Sequence, residues 1–378
     1  VGKTNGIMED MAGMKSLFGG IYNGKKVLVT GHTGFKGSWL VQWLQMLGVD
    51  VSGYALASPT QPNHSSLLKL KLNAMEADIR NLEELTAFLR KVQPDIVFHL
   101  AAQALVRESY VNPVETFTTN IIGTLNVFEA CRKVTSVKAI VNVTSDKCYE
   151  NKEWVWGYRE SDPMGGFDPY SASKGCSELL TASYRNSFFS MNEHNPSNPV
   201  LLGSGRAGNV IGGGDWATDR LIPDLVKAAA ENASVTIRCP KATRPWQHVL
   251  EPLSGYLMLG WNLLMGKPNF AQGWNFGPDM NSNLSVEDMV TLSKKSWDVI
   301  NAVYNTNPSD YHEANLLMLD CSLARNLMKW KPVWDIDTTV KKTMLWYKAY
   351  YTKNEIQTVQ NIVDYVGNAK KLKLVWAI

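Results

Sequence analysis

The chain has 378 residues, 45% of them hydrophobic, which is enough for a large core and for two domains or one domain with an appendage. A net charge of +3 with 19% charged residues offers no basic field for nucleic acid or a membrane surface. Five widely spaced cysteines without a C-x-x-C fit a reducing, cytoplasmic compartment and argue against a disulfide framework or a metal site.

The opening VGKTNGIMEDMAG lacks a basic start followed by an apolar run, so a tail is expected to residue 23 and a secretory signal is not. Lys25 to Thr30 (KKVLVT) then reads as a buried strand running into Gly31, Gly34 and Gly37. Trp39, Leu40, Trp43, Leu44 and Leu47 follow at helical spacing, with Gly48 where a C-cap belongs. Strand, glycine turn and helix together predict a dinucleotide site. Glycines admit the backbone to a pyrophosphate, and the helix start offers free N–H groups and a positive dipole.

The second strand, Val49 to Tyr54, continues into Ala55, Leu56 and Ala57 without the acid that would hold a ribose 2′-hydroxyl. Lys36 in the glycine turn is a candidate partner for a 2′-phosphate, so the choice between NAD and NADP stays open on these residues. Asn73 to Asp78 reads as a third strand. Asp78 either accepts from an adenine amino group or caps a helix over Leu82 to Val92. Asp95 to Ala101 and Lys138 to Thr144 read as the fourth and fifth strands, with a helix over Asn120 to Lys133 between them. Strands alternating with helices predict an α/β, Rossmann-type doubly wound parallel sheet with ligands at the C-terminal strand edge.

At that edge the chain reads VNVTSDKCY, and 20 residues after Glu150 it reads YSASK. Tyr170 and Lys174 fall on one helical face, and an ammonium beside a phenol favours the phenolate. About one Y-x-x-x-K pair is expected by chance at this composition, and Tyr22 with Lys26 repeats the spacing without a strand-end hydroxyl before it. The long segment Glu150 to Pro169 reads as a substrate cover, in which Trp154 and Trp156 serve either the core or the sugar. His99 and His248 read as structural, and Cys148 as a small apolar packer.

Past Asn209 the character changes. Val210 to Trp216 is glycine-rich, Asp219 to Pro223 opens a helix, and Val235 to Arg238 is a short strand. Trp274 to Pro278 reads as a strand returning to the sheet, and helices are expected over Ser285 to Ala302 and Asp337 to Tyr350. A dinucleotide domain over 24–206 and 250–278 is therefore expected, with a smaller α/β substrate domain over 207–249 and 279–350. An extension over 351–378 includes a candidate amphipathic helix.

TGHTGFKG, HLAAQ, TSDK and YSASK, in this order, resemble the extended short-chain dehydrogenase/reductase family. Within it, ENKEWVWGYRESDPMGG, RAGNVIGGGDW, DRLIP, RPWQHVLEPLSGY and WNFGP resemble the nucleotide-sugar 4,6-dehydratases that take CDP-glucose. The resemblance implies NAD across Gly31, Thr33, Gly34, Phe35, Lys36, Gly37, Asp78, Ile79, Ala101, Ala102, Gln103 and Asn120, together with Tyr170 and Lys174. It implies a hydride-transfer triad of Thr144, Tyr170 and Lys174, with Asp146 and Lys147 serving dehydration. Asn209, Arg220, Leu221, Arg244 and Asn275 match substrate positions. Lys147 stands where related dehydratases carry Glu. It acts as the base at C5, as a charge that stabilises the enolate, or as a loop-fixing partner of Asp146. Family members pair through the helices that here span Asn112 to Lys133 and Tyr170 to Ser190, so a homodimer is expected. A 4-epimerase shares the fold but needs no groups at C5 and C6, and a non-catalytic sensor typically lacks the Tyr or the Lys. Both are retained here in this chain.

Overall fold

The computed structural model describes residues 13–189, 200–237, 239–279, 282–304 and 316–378. Seven strands make one sheet: β1 (Lys26–Thr30), β2 (Asp50–Ala55), β3 (Asn73–Glu76), β4 (Ile96–His99), β5 (Ala139–Val143), β6 (Leu201–Arg206) and β7 (Gly273–Asn275). Their order is β7-β6-β5-β4-β1-β2-β3, and every neighbouring pair is parallel. The order reverses about β1, which places a ligand crevice over the C-terminal ends of β1 and β4. Both faces of the sheet are covered, so its central strands are apolar throughout. Val27, Val29, Phe98 and Val141 enter one core, and Leu28, Val97, Ile140 and Leu202 the other, as the two-residue period of a strand requires.

The first core is covered by α1 (Phe35–Met46), α6 (Leu250–Leu264), α8 (Ile336–Lys353) and α9 (Thr358–Lys371), and the second by α2 (Leu82–Val92), α3 (Thr124–Arg132) and α4 (Pro169–Ser187). The helix expected over Asn120 to Lys133 opens as a π-helical turn, Thr118–Gly123, before α3. Asn81, not Asp78, caps α2: its side chain accepts from the Glu84 N–H at 3.2 Å. Helix α4 is capped by Asp168 and has Pro169 at its first turn, which suits a residue lacking the N–H. The expected end of that helix at Ser190 lies outside the described residues.

The smaller part is built by α5 (Leu221–Ala230), α7 (Val286–Ser296) and short strand pairs. Thr243–Pro245 runs antiparallel to Asn283–Ser285, and Ser234–Ile237 parallel to Asn301–Tyr304. The helix expected to reach Ala302 therefore stops at Ser296, and 301–304 is a strand. Arg238, the expected end of its partner, lies outside the described residues.

The segment expected as a tail is packed where it is described. Met14, Leu17, Phe18 and Tyr22 are buried, and residues 1–12 lie outside the described set. Phe18 stacks on Trp376 at 5.1 Å, and Trp376 meets Trp43 of α1 at 5.8 Å. Helix α9 is the amphipathic helix expected in the C-terminal extension, and its Tyr365 packs edge-on against Trp43 at 5.7 Å. The two ends of the chain thus close one aromatic cluster over α1.

Candidate active site

A cleft of about 1060 Å³ opens over the C-terminal ends of β1, β4 and β5. Gly31, Gly34, Phe35, Lys36 and Gly37 line it from the glycine turn, and Thr144, Ser145, Asp146 and Lys147 from the end of β5. Tyr170 and Lys174 line it from α4, and Asn209, Arg220, Leu221 and Arg244 from the smaller part. The glycine turn is a cradle with no room for side chains. A Cβ on Gly31, at φ +72°, would lie 2.7 Å from the Ala101 nitrogen, and one on Gly37 would lie 2.1 Å from the Gly31 oxygen. The free N–H groups of α1 face the same space, so the cradle fits a dinucleotide pyrophosphate.

Several expected cofactor residues act one layer back. Thr33 donates its hydroxyl to the Leu56 carbonyl at 2.8 Å. Asn120 is buried; its Oδ1 accepts from the Gln103 N–H at 2.9 Å, and its amide donates to the Gln103 carbonyl and to Ser173. It ties the loop after β4, with Ala101, Ala102 and Gln103, to α4. Ile79 is buried against Gly123. The Asp78 carboxylate is forked by Arg80 through Nε and Nη2 at 2.9 and 2.5 Å, and these bonds hold it below the usual carboxylate range.

Lys36 does not extend to the end of β2, where a 2′-phosphate would need it. Burial lowers its pKa to about 8, and its charge interacts with Arg220, Asp146 and Lys174. Asn275 does not line the cleft either. Its side chain accepts from the Tyr149 hydroxyl at 2.7 Å and donates to the carbonyls of Tyr158 and Asp320, so both of its N–H donors are taken within the protein.

The end of β5 separates two adjacent hydroxyls. Thr144 points inward and donates to the buried carboxylate of Glu178. Ser145 turns to the cleft side, where its hydroxyl bonds the Tyr170 phenol. It also donates to Asp146 Oδ1 at 2.9 Å and accepts from the Lys147 N–H at 3.2 Å, opening the 3-10 turn Asp146–Cys148. Both hydroxyls line the cleft, and the one that reaches the Tyr170 phenol is Ser145.

Burial pushes the Tyr170 phenol up to about 12; the Ser145 bond and the Arg220 charge act against this. The phenol is thus raised, contrary to the lowering expected from Lys174. Lys174 is itself lowered to about 8 by burial, with Glu178 opposing. Asp146 is buried and its Oδ2 has no hydrogen-bond partner among the described residues. Lys147 forms no ion pair there, so the loop-fixing bond to Asp146 is not made.

His99 bonds Thr30 and Thr124 at 2.7 and 3.1 Å, and His248 is buried against Trp334; burial lowers both to about 3. The Cys148 thiol is buried and raised. Trp154 stacks on Tyr158 at 5.1 Å, whereas Trp156 is exposed and does not line the cleft. Tyr22, the decoy, donates to the Leu257 carbonyl at 2.6 Å inside the core.

A switch-point glycine cradle facing a Ser-Tyr-Lys set defines a Rossmann-type protein of the short-chain dehydrogenase/reductase class. The chain belongs to the GDP-mannose 4,6-dehydratase family, whose model matches residues 28–343. It is 48% identical over 355 residues to the CDP-glucose 4,6-dehydratase of Salmonella typhimurium, spanning 92% of this chain and 97% of that one. It is 23% identical to the UDP-glucose 4-epimerase of Mycoplasma pneumoniae over 87% and 98% of the two chains. Among solved structures, the epimerase Mth375 of Methanothermobacter thermautotrophicus matches with a TM-score of 0.75 at 22% identity, covering 93% and 97%. The UDP-glucose 4-epimerase of Brucella ovis in complex with NAD matches with a TM-score of 0.71 at 20% identity, covering 84% and 97%. At these identities both show the fold.

Proposed function

We propose that this protein dehydrates CDP-D-glucose to CDP-4-keto-6-deoxy-D-glucose with NAD as its resident cofactor. The observation that carries the reading is the convergence of two functional sets in one cleft. Ser145, Tyr170 and Lys174 suit an oxidation, while Asp146 Oδ2 and Lys147, without partners among the described residues, suit an elimination. The 48% identity to a CDP-glucose 4,6-dehydratase supports the nucleobase and the reaction. An epimerase has no use for the second set.

NAD, when bound, supplies the reversible hydride chemistry, from C4 of the sugar and back to C6. Tyr170 removes the proton from the sugar 4-hydroxyl. Burial raises its phenol, so the phenolate depends on positive charge; Arg220 lowers it, and Lys174 stands one turn away. The resulting 4-ketone acidifies the C5 proton. Lys147 takes that proton, or holds the enolate oxygen while solvent takes it, and a proton returns to C5 when C6 receives hydride. Asp146 protonates the departing C6 hydroxyl, which leaves as water. Arg220 and Arg244 line the cleft where the substrate pyrophosphate would lie.

We infer a homodimer through the helices around Pro113–Arg132 and α4. Val111, Val114, Ile122 and Leu179 are 67%, 75%, 45% and 61% exposed there, an apolar surface suited to a second copy. The cysteines are free, and among the described residues no helix is long and apolar enough to cross a membrane. A place in the cytoplasm, making precursors of surface deoxysugars such as those of O-antigen, accords with this reading. The test is incubation with CDP-, dTDP-, UDP- and GDP-glucose in the presence of NAD. Loss of one water from CDP-glucose is expected. Turnover of another nucleotide sugar in its place, or isomerisation without mass change, would contradict the proposal.

A further inference from the structure

Past β6 the chain runs through Gly212, Gly213 and Gly214 to Asp215, which lines the cleft and has no part in the chemistry proposed above. The glycines press the segment flat against aromatic side chains. A Cβ on Gly213 would lie 2.0 Å from the Trp346 ring, and one on Gly214, at φ +89°, would lie 2.4 Å from the His64 ring. Both rings are fixed from behind. His64 bonds the Ser38 hydroxyl of α1 at 2.8 Å and the Thr358 hydroxyl of α9 at 2.7 Å, and Trp346 of α8 donates to that same Thr358 hydroxyl at 3.0 Å. Tyr347, next along α8, holds the end of the segment. Its hydroxyl accepts from the Asp215 N–H at 2.9 Å and donates to the Asp215 carbonyl at 2.6 Å. The backbone of Asp215 is thereby set by contacts that lead to α1, α8 and α9.

The side chain works from that fixed base. Its Oδ1 accepts from the Ala217 N–H at 3.0 Å, and its Oδ2 accepts from Arg220 Nη1 at 2.8 Å. The carboxylate side chain is 8% exposed and the arginine 36%, so the acid is the anchored partner and the guanidinium the presented one. Arg220 lines the cleft, and its Nε and Nη2 bond no described residue. Those two nitrogens form the edge of a guanidinium that matches a pair of phosphate oxygens. We propose that Asp215 is a positioning residue for substrate binding: it takes Nη1 of Arg220 and so holds the Nε–Nη2 edge ready for the diphosphate of the nucleotide sugar. The proposal rests on the placement of that diphosphate at Arg220 given above.

Stability alone does not call for this pair, because an ion pair with one partner at the surface contributes little. By charge alone, a carboxylate beside a diphosphate works against the ligand. Its use lies in order: an arginine already held in place does not have to be immobilised when the diphosphate arrives. Asp215→Asn keeps the size of the side chain and an oxygen for the Ala217 N–H. In that variant the two effects have opposite signs. Loss of the like charge would tighten a nucleoside diphosphate, and loss of positioning would weaken it.

The test is calorimetric titration of CDP into the NAD-loaded full chain, for Asp215→Asn and Arg220→Gln singly and together. Arg220→Gln should weaken CDP by roughly 10- to 150-fold. Asp215→Asn should weaken it by about 2- to 12-fold, the effect of leaving one long side chain to be immobilised on binding, with the affinity for NAD unchanged. Added to Arg220→Gln it should do nothing further, because its effect passes through the guanidinium. Equal weakening with and without Arg220→Gln marks a structural effect on the cleft and overturns the proposal, as does unchanged or tighter CDP binding in Asp215→Asn alone. If Asp215→Asn does not fold, Tyr347→Phe releases the Asp215 backbone without touching either charge and is read by the same comparison. Binding needs no turnover, so the result stands apart from the dehydration test. CDP binding unaffected by Arg220→Gln would remove the diphosphate from Arg220, and the proposal with it. Binding of UDP, dTDP or GDP in place of CDP would remove the nucleobase reading alone, and the same comparison with that ligand then decides the role of Asp215.

Discussion

Replacing the two adjacent hydroxyls at the end of β5 separates chemistry from scaffolding. Ser145→Ala removes the bond to the Tyr170 phenol while leaving Lys174 and the glycine cradle intact. A hydrogen bond to a group that becomes charged contributes about 1.5–3 kcal/mol, and about 1.4 kcal/mol is tenfold in rate. The oxidation step should therefore slow by roughly 10- to 150-fold. Thr144→Val keeps the shape and removes only the donor to Glu178, which retains Ser204 and Arg206. Its cost of about 1–3 kcal/mol should appear in stability. The assay is the stopped-flow rise at 340 nm on mixing NAD-loaded protein with CDP-glucose, beside urea unfolding of each variant. Expected are a slow rise with near-native stability for Ser145→Ala, and a near-native rise with reduced stability for Thr144→Val. The opposite pattern would return the catalytic role to Thr144 and refute the geometry argued for β5.

Three further outcomes follow from the structure. Lys147→Met should show the 340 nm rise with CDP-glucose and then stall, losing both product and deuterium incorporation at C5 in heavy water; product at the wild-type rate with full deuterium would make Lys147 structural. Trp376→Ala empties a fully buried site against Phe18, Trp43 and Tyr365 and should cost about 3–5 kcal/mol in urea unfolding. A loss well under that would mean the chain ends do not share the core. Burial raises the Glu251 carboxyl from 4.5 to about 7, so between those values the folded state binds a proton that the unfolded state releases. Its contribution is present below that window and lost as pH rises through 7. Stability of the wild type should fall between pH 4.5 and about 7 more steeply than that of Glu251→Gln, and equal slopes would remove Glu251 as the cause.

The elements that could be read from the chain are those carried by local pattern. KKVLVT followed by three glycines, and apolar runs alternating with helical spacing, lead directly to the parallel sheet and its crevice. Tyr170 and Lys174 needed only the four-residue helical period. What escaped depended on contacts remote in sequence. Asn275 is consumed by Tyr149, Tyr158 and Asp320, none of which is near it along the chain. Phe18 and Trp376 are stacked from opposite ends of the chain, so neither segment alone predicts that it is core. Asp78 and Asn81 are both good capping residues, and only the start of α2 selects between them. Thr144 and Ser145 differ by one position, and the pleat that separates them is set by where β5 stops pairing with β6.

The central claim is that one cleft takes a hydride from the sugar and gives it back to the same sugar after water has left. CDP-glucose labelled with deuterium at C4 tests it most directly, with NAD present at trace level. The deuterium should be recovered at C6 of CDP-4-keto-6-deoxyglucose, with no net rise at 340 nm during steady turnover. Deuterium accumulating in the reduced dinucleotide, or remaining at C4 of an epimerised sugar, would contradict it.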